Sequence, residues 1–166
     1  MKFPLPHRYA LMLEETQSAH KTMLILEDDK TIRFSPQLTK NKVPKIYVIK
    51  IKGEVVYIGY TSQSIRTRLN SGLKANGLNG YHGYKWKNEM NEIELLVFVF
   101  ENVLTGIKEQ DKELIMFIEA IEAELVYQFR SQTGNWPKFQ NEIHFNNSNR
   151  EQVLEITRYI YKYMTE

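Results

Sequence analysis

KIYVIKIKGEVVYIGYTSQSIRTRL, residues 45–69, carries the strongest β signal in the chain. KIYVIKIK (45–52) and EVVYIGY (54–60) are rich in β-branched and aromatic residues, which suit a pleated, half-buried surface. They flank Gly53, so they predict a hairpin. Its register decides where Tyr47 and Tyr57 point. A two-residue turn at Lys52-Gly53 makes paired residue numbers sum to 105 and sends the two rings to opposite faces. A three-residue loop over 52–54 makes them sum to 106 and puts both on one face, and this second register is the expectation. Thr61 to Ser64 then offer N-caps for a helix over about 63–75, in which Ile65, Leu69 and Leu73 recur every four residues as a buried stripe.

Downstream, ANGLNGYHGY (75–84) holds three glycines and two asparagines and reads as a loop. IELLVFVF (93–100) is continuously apolar, as a strand covered on both sides would be. Residues 109–130 give the strongest helix signal, which GNWP (134–137) ends. Ser148 with Glu151 predicts a capping box for a last helix over 148–164, with Val153, Ile156, Ile160 and Tyr163 on one face. Upstream, residues 7–26 read as a helix with Pro4 and Pro6 near its start, and TIRFS (31–35) as a short strand. The expected fold is one α+β domain spanning 1–166. It has a small, mainly antiparallel three-stranded sheet flanked by helices, an N-terminal helical extension over 1–42 and a C-terminal helix.

Composition narrows the class. The absence of cysteine excludes a disulfide scaffold and every thiolate zinc site. No apolar run reaches the roughly 18–20 residues that span a bilayer, and MKFPLPHRYALMLEE lacks the uninterrupted apolar stretch of a secretory signal. A cytoplasmic location is therefore expected. The net charge of +2 hides a segregation: residues 40–90 carry +8 and residues 91–132 carry −6. That pattern suits one face attracting polyanions, or two segments that neutralise each other in the fold.

The helix over 109–130 singles out one carboxylate. At about 100° per residue, its apolar side chains fill an arc of roughly 180°. Glu113, Glu119 and Glu124 fall outside that arc, whereas Glu122 falls inside it, between Phe129 and Ile115. An unpaired charge in such a place typically costs several kcal/mol. Glu122 therefore either caps backbone amides or pairs with an arginine, or it serves a cleft as a metal ligand or acid–base group. No HExxH, P-loop, GxSxG or GxGxxG is present. His7, His20, His82 and His144 lie too far apart for a local metal motif, and EIHFNN around His144 lacks the paired Asn-His spacing of an HNH nuclease.

Lys45-Ile46-Tyr47 and Tyr57-Ile58-Gly59, ten residues from tyrosine to tyrosine, followed by TSQSIRTRL, EAELVYQF and Asn141, resemble the GIY-YIG nuclease family over residues 45–145. The resemblance implies a metal-dependent endonuclease that hydrolyses DNA phosphodiester bonds, of restriction or defence type or selective for single strands or DNA structures. It implies Tyr47 as general base and Tyr57 as a second site hydroxyl. Arg68 would grip the scissile phosphate, and Glu122 would bind Mg²⁺ or Mn²⁺. A phenol near pKa 10 is a poor base at neutral pH, and it could serve if nearby cations such as Lys45 or Arg68, or a water bound to the metal, lowered that value. A non-catalytic nucleic-acid-binding module of the same fold is the alternative.

Two positions depart from the family pattern. Lys45 replaces the first glycine, and Gly72 stands where a histidine or tyrosine often follows the arginine by one helical turn. The glycine-rich loop is expected to bring Tyr81, His82 or Tyr84 over the gap at Gly72, with His82 preferred as the catalytic group. Lys45, Arg66, Lys74, Lys85, Lys87 and Asn141 are the candidate DNA contacts, and a homodimer is the expected arrangement for cutting both strands of a duplex.

Overall fold

The computed structural model describes residues 2–16, 21–28, 30–77, 80–141, 143 and 146–166. Its strands are β1 (Leu5–Glu15), β2 (Lys21–Glu27), β3 (Lys30–Thr31), β4 (Lys45–Ile51), β5 (Glu54–Thr61) and β6 (Glu92–Val99). They form one antiparallel sheet in the order β3-β2-β1-β6-β4-β5. The helices are α1 (Pro36–Thr39), α2 (Ile65–Lys74), α3 (Lys108–Thr133) and α4 (Arg150–Thr165), with a 3₁₀ turn over Lys85–Asn88.

Six strands replace the expected three, and the helix expected over 7–26 is a strand hairpin. The reason lies in the periodicity of the core positions. Leu11 and Leu13, then Met23 and Ile25, are buried in alternation, which is the period of a strand and not of a helix. Pro6 lies in β1 ahead of Ala10, where the pairing with β2 begins, so its missing N–H leaves no bond to β2 unmade. β1 then pairs along β6 from Leu5 to Met12 and makes β6 an interior strand. Its two faces are accordingly both apolar, as the run 93–100 predicts.

Each face of the sheet has its own core. On one face Leu11, Leu13, Tyr47, Ile49, Leu95 and Val97 meet the α2 stripe of Ile65, Leu69 and Leu73, together with Trp86. On the other, Ile46, Val48, Ile58, Leu96 and Phe98 meet α3 and α4. α3 ends at Gly134, whose left-handed backbone (φ 79°) returns its N–H to the carbonyl of Arg130. α4 is capped by Asn149, not by Ser148 as expected: the Asn149 side chain accepts from the Gln152 N–H. Among the described residues no helix is long and apolar enough to cross a membrane.

Candidate active site

The β4–β5 hairpin combines features of both registers that its sequence allows. The turn has two residues, Lys52 and Gly53, both with positive φ (52° and 81°), which matches the twist of the strands. The expected three-residue loop is therefore absent. A register shift opposite Ile49 and Lys50 leaves Val56 as the extra residue, and from Ile49 onward the pairs sum to 106. Tyr47 and Tyr57 consequently share a face, with ring centroids 5.8 Å apart. Tyr47 pairs with Gly59, and a Cβ at Gly59 would lie 2.7 Å from Tyr47 Cζ and 2.8 Å from Tyr57 Cε1. The glycine of the YIG motif thus makes room for both rings.

α2 brings Arg68 to the same place. Its Nε donates to the Tyr47 hydroxyl at 3.3 Å, and its guanidinium carbon lies 5.9 Å from the centre of the Tyr84 ring. One turn on, Gly72 leaves a space that Tyr84 fills: a Cβ at Gly72 would fall 2.1 Å from Tyr84 Cε2. The Tyr84 hydroxyl lies 3.0 Å from that of Tyr47 and donates to the Arg68 carbonyl at 3.4 Å. Behind it Trp86, fully buried, stacks on Tyr84 at 4.7 Å and 20°. Three tyrosines and one arginine therefore form a single cluster.

Glu122 reaches the cluster around the open edge of β5. An edge strand presents unpaired backbone groups. Here the Phe139 N–H bonds the Val56 carbonyl, the Gln140 side chain accepts from the Ile58 N–H, and the Glu122 carboxylate accepts from the Tyr60 N–H. Burial pushes the Glu122 carboxyl up to about 7, and the neighbouring Glu119 adds to this against the pull of the Tyr60 N–H and Arg68. Glu119, expected on the solvent side of the helix, is half-buried and lies one turn from Glu122, with Asn146 donating to it at 2.6 Å. The spacing of three residues between the two glutamates was the signal for it.

Across this edge runs a cleft of about 280 Å³, lined by Tyr57, Tyr60, Arg68, Tyr81, Tyr84, Lys85, Glu119, Glu122, Phe139 and Asn141, among others. Tyr47 is not in its wall. It is wholly buried, and that burial, reinforced by Tyr84, holds its hydroxyl well above the ordinary phenol range although Arg68 works the other way. The proposed lowering of its pKa by cations is therefore reversed. Burial likewise raises Tyr57 and Tyr84, so these two phenols stay protonated at neutral pH.

No family model, curated protein or solved structure matches the chain. The site consequently stands on its geometry.

Several candidates lie elsewhere. Lys45 is fully buried, and its ammonium donates to the carbonyls of Lys40, Val43 and Gln63; burial lowers it to about 8. It braces the start of the hairpin, with its ammonium spent on those carbonyls. Lys87 donates to the carbonyls of Leu73, Ala75 and His82, tying the loop to the end of α2. Arg66 lies over the Phe34 ring at 5.6 Å, and Lys74 is exposed outside the cleft wall. His82 is exposed, packs over Gly77 and does not line the cleft, so Tyr84 takes the place expected for it. Lys85 and Asn141 remain at the rim, bonded to each other at 3.4 Å. His20 and His144 lie outside the described residues.

A divalent cation fits the donor set. Glu119 and Glu122 offer hard oxygen ligands one helical turn apart, and Mg²⁺ is usually held by one or two carboxylates with water completing its shell. Among the described residues no cluster of three or more His, Asp or Glu is formed.

Proposed function

We propose that this protein is a metal-dependent DNA endonuclease with a GIY-YIG-like site. The observation that supports it best is the convergence of Tyr57, Arg68, Tyr84 and Glu122 on one cleft, from β5, α2, the loop before the 3₁₀ turn, and α3. Glu122 agrees with both the helix wheel and the family resemblance.

Phosphoryl transfer to water requires positive charge on the phosphate, an oriented water and stabilisation of the leaving oxygen. Arg68 supplies the first. Its Nε is fixed on Tyr47, and among the described residues no carboxylate forms an ion pair with it. Tyr47 is then a positioning residue that holds Arg68 and Tyr84, not the base that meets water. Tyr57, kept protonated, donates to a phosphate oxygen or to the water, while the Tyr84 hydroxyl, committed to Tyr47 and to the Arg68 carbonyl, positions the arginine. Glu122, beside Glu119, would hold Mg²⁺ or Mn²⁺, and that cation would stabilise charge on the leaving oxygen. Among the described residues Glu119 and Glu122 are the carboxylates that line the cleft, and the one that does not ligate the cation would accept the proton that water gives up.

The test is cleavage of supercoiled plasmid and of single-stranded circular DNA with Mg²⁺ or Mn²⁺ by wild type, Arg68→Ala and Glu122→Ala. Metal-dependent cutting that both substitutions abolish is the expected result. Binding of DNA without cutting by the wild type would instead make the chain a non-catalytic binding module of this fold.

A further inference from the structure

We propose that the cleft takes an unpaired stretch of DNA, with a base lying on Tyr81 and the adjacent phosphate held by Arg68 and Lys85. This rests on the nuclease reading and narrows its substrate to a strand whose bases are free.

The cations point this way first. Of the ten Lys and Arg in residues 40–90, five are engaged within the protein away from the cleft. Lys42, Lys45 and Lys87 donate to backbone carbonyls, Lys50 pairs with Glu94, and Arg66 lies on Phe34. Only Arg68 and Lys85 line the cleft. A protein that makes about 6–10 phosphate contacts to a double helix needs more cations than the two that line this cleft.

The aromatic rings point to what the cleft does hold. Sites for single strands combine a few cations with aromatic faces on which bases stack, because every base has such a face. Tyr84 is covered on one side by Trp86, but Tyr81 is 48% exposed at the cleft wall. Its backbone is anchored, since its carbonyl accepts from the Gly77 N–H at 3.0 Å, so the open ring rises from a fixed point of the loop. The cleft volume of about 280 Å³ lies just below the range of small-molecule pockets, roughly 300–1,000 Å³, and suits no more than one nucleotide.

The experiment uses the full chain with a fluorescein-labelled single-stranded oligonucleotide and the same sequence as a blunt duplex. Anisotropy in EDTA reads binding, and gels after addition of Mg²⁺ or Mn²⁺ read cutting. The single strand is expected to bind at least about tenfold more tightly than the duplex. Tyr81→Ala should weaken that binding roughly tenfold, and Tyr81→Phe by less than about twofold. A log–log salt slope of about −0.7 is expected, from the one phosphate that Arg68 and Lys85 share. Equal or tighter binding of the duplex, or no effect of Tyr81→Ala, overturns the proposal. Metal-dependent cutting of the duplex alone would overturn it and leave the nuclease reading intact. Tyr81-dependent binding of the single strand with no cutting would support it and overturn the nuclease reading.

Discussion

Tyr84 occupies the space of a side chain that Gly72 does not have, with its ring 2.1 Å from where a Cβ would stand and its hydroxyl 3.0 Å from that of Tyr47. A residue from a loop thus supplies the hydroxyl that the helix lacks. Gly72→Ala should displace the ring and destabilise the fold by about 1–3 kcal/mol, as overpacking does. Tyr84→Phe keeps the ring and removes the hydroxyl, so it should cost only about 0.5–1.5 kcal/mol while slowing cleavage roughly tenfold or more. Urea denaturation beside single-turnover cleavage separates the two effects. Equal loss of stability in both variants would contradict the packing argument.

Lys45 belongs to the core. Removing its ammonium leaves three carbonyls without a donor, so Lys45→Ala should destabilise by on the order of 3 kcal/mol. Oligonucleotide affinity of the folded variant should be unchanged. Lys85→Ala should do the reverse, weakening binding while leaving the denaturation midpoint in place.

Glu122 gives the metal-free protein a pH-dependent stability of unusual sign. Its carboxyl is raised from about 4.5 to about 7, so between these values the folded state holds the proton more tightly than the unfolded chain does. Its favourable contribution is present below pH 4.5 and lost as pH rises through 7. Glu122→Gln should therefore stabilise the protein at pH 8, by on the order of 2–3 kcal/mol, and flatten this dependence. Thermal melts in EDTA across pH 5–8 measure it. A less stable variant at pH 8 would show that the Tyr60 N–H and Arg68 outweigh burial.

His82 lies on Gly77, outside the cleft wall. His82→Ala should leave cleavage within about twofold of wild type under matched conditions, and a larger loss would return the histidine to the site.

Much of this was legible in residues 45–69, where strand composition, the helical stripe and the Tyr-Tyr-Arg spacing each have a local cause. Glu122 was legible because a carboxylate within an apolar arc is costly wherever the helix packs. The N-terminal hairpin was misread because Leu24 and Leu26 fill the gaps in a period-two pattern and imitate a helix. Pairing with β6, a contact far along the chain, is what selects the strand. The choice of Tyr84 over His82 was likewise non-local: it depends on Lys87 fastening the loop to α2 and on Trp86 backing the ring. Nothing in the basic composition of residues 40–90 told which lysines would be capped by carbonyls.

The most direct test of the central claim is cutting of single-stranded circular DNA, which has no ends, by wild type and Glu122→Ala at matched concentration with Mg²⁺ or Mn²⁺. The account predicts linear product from the wild type, cutting at least roughly 100-fold slower from the variant, and none from either in EDTA. An intact circle with the wild type in both metals, or equal cutting by the two proteins, would contradict it.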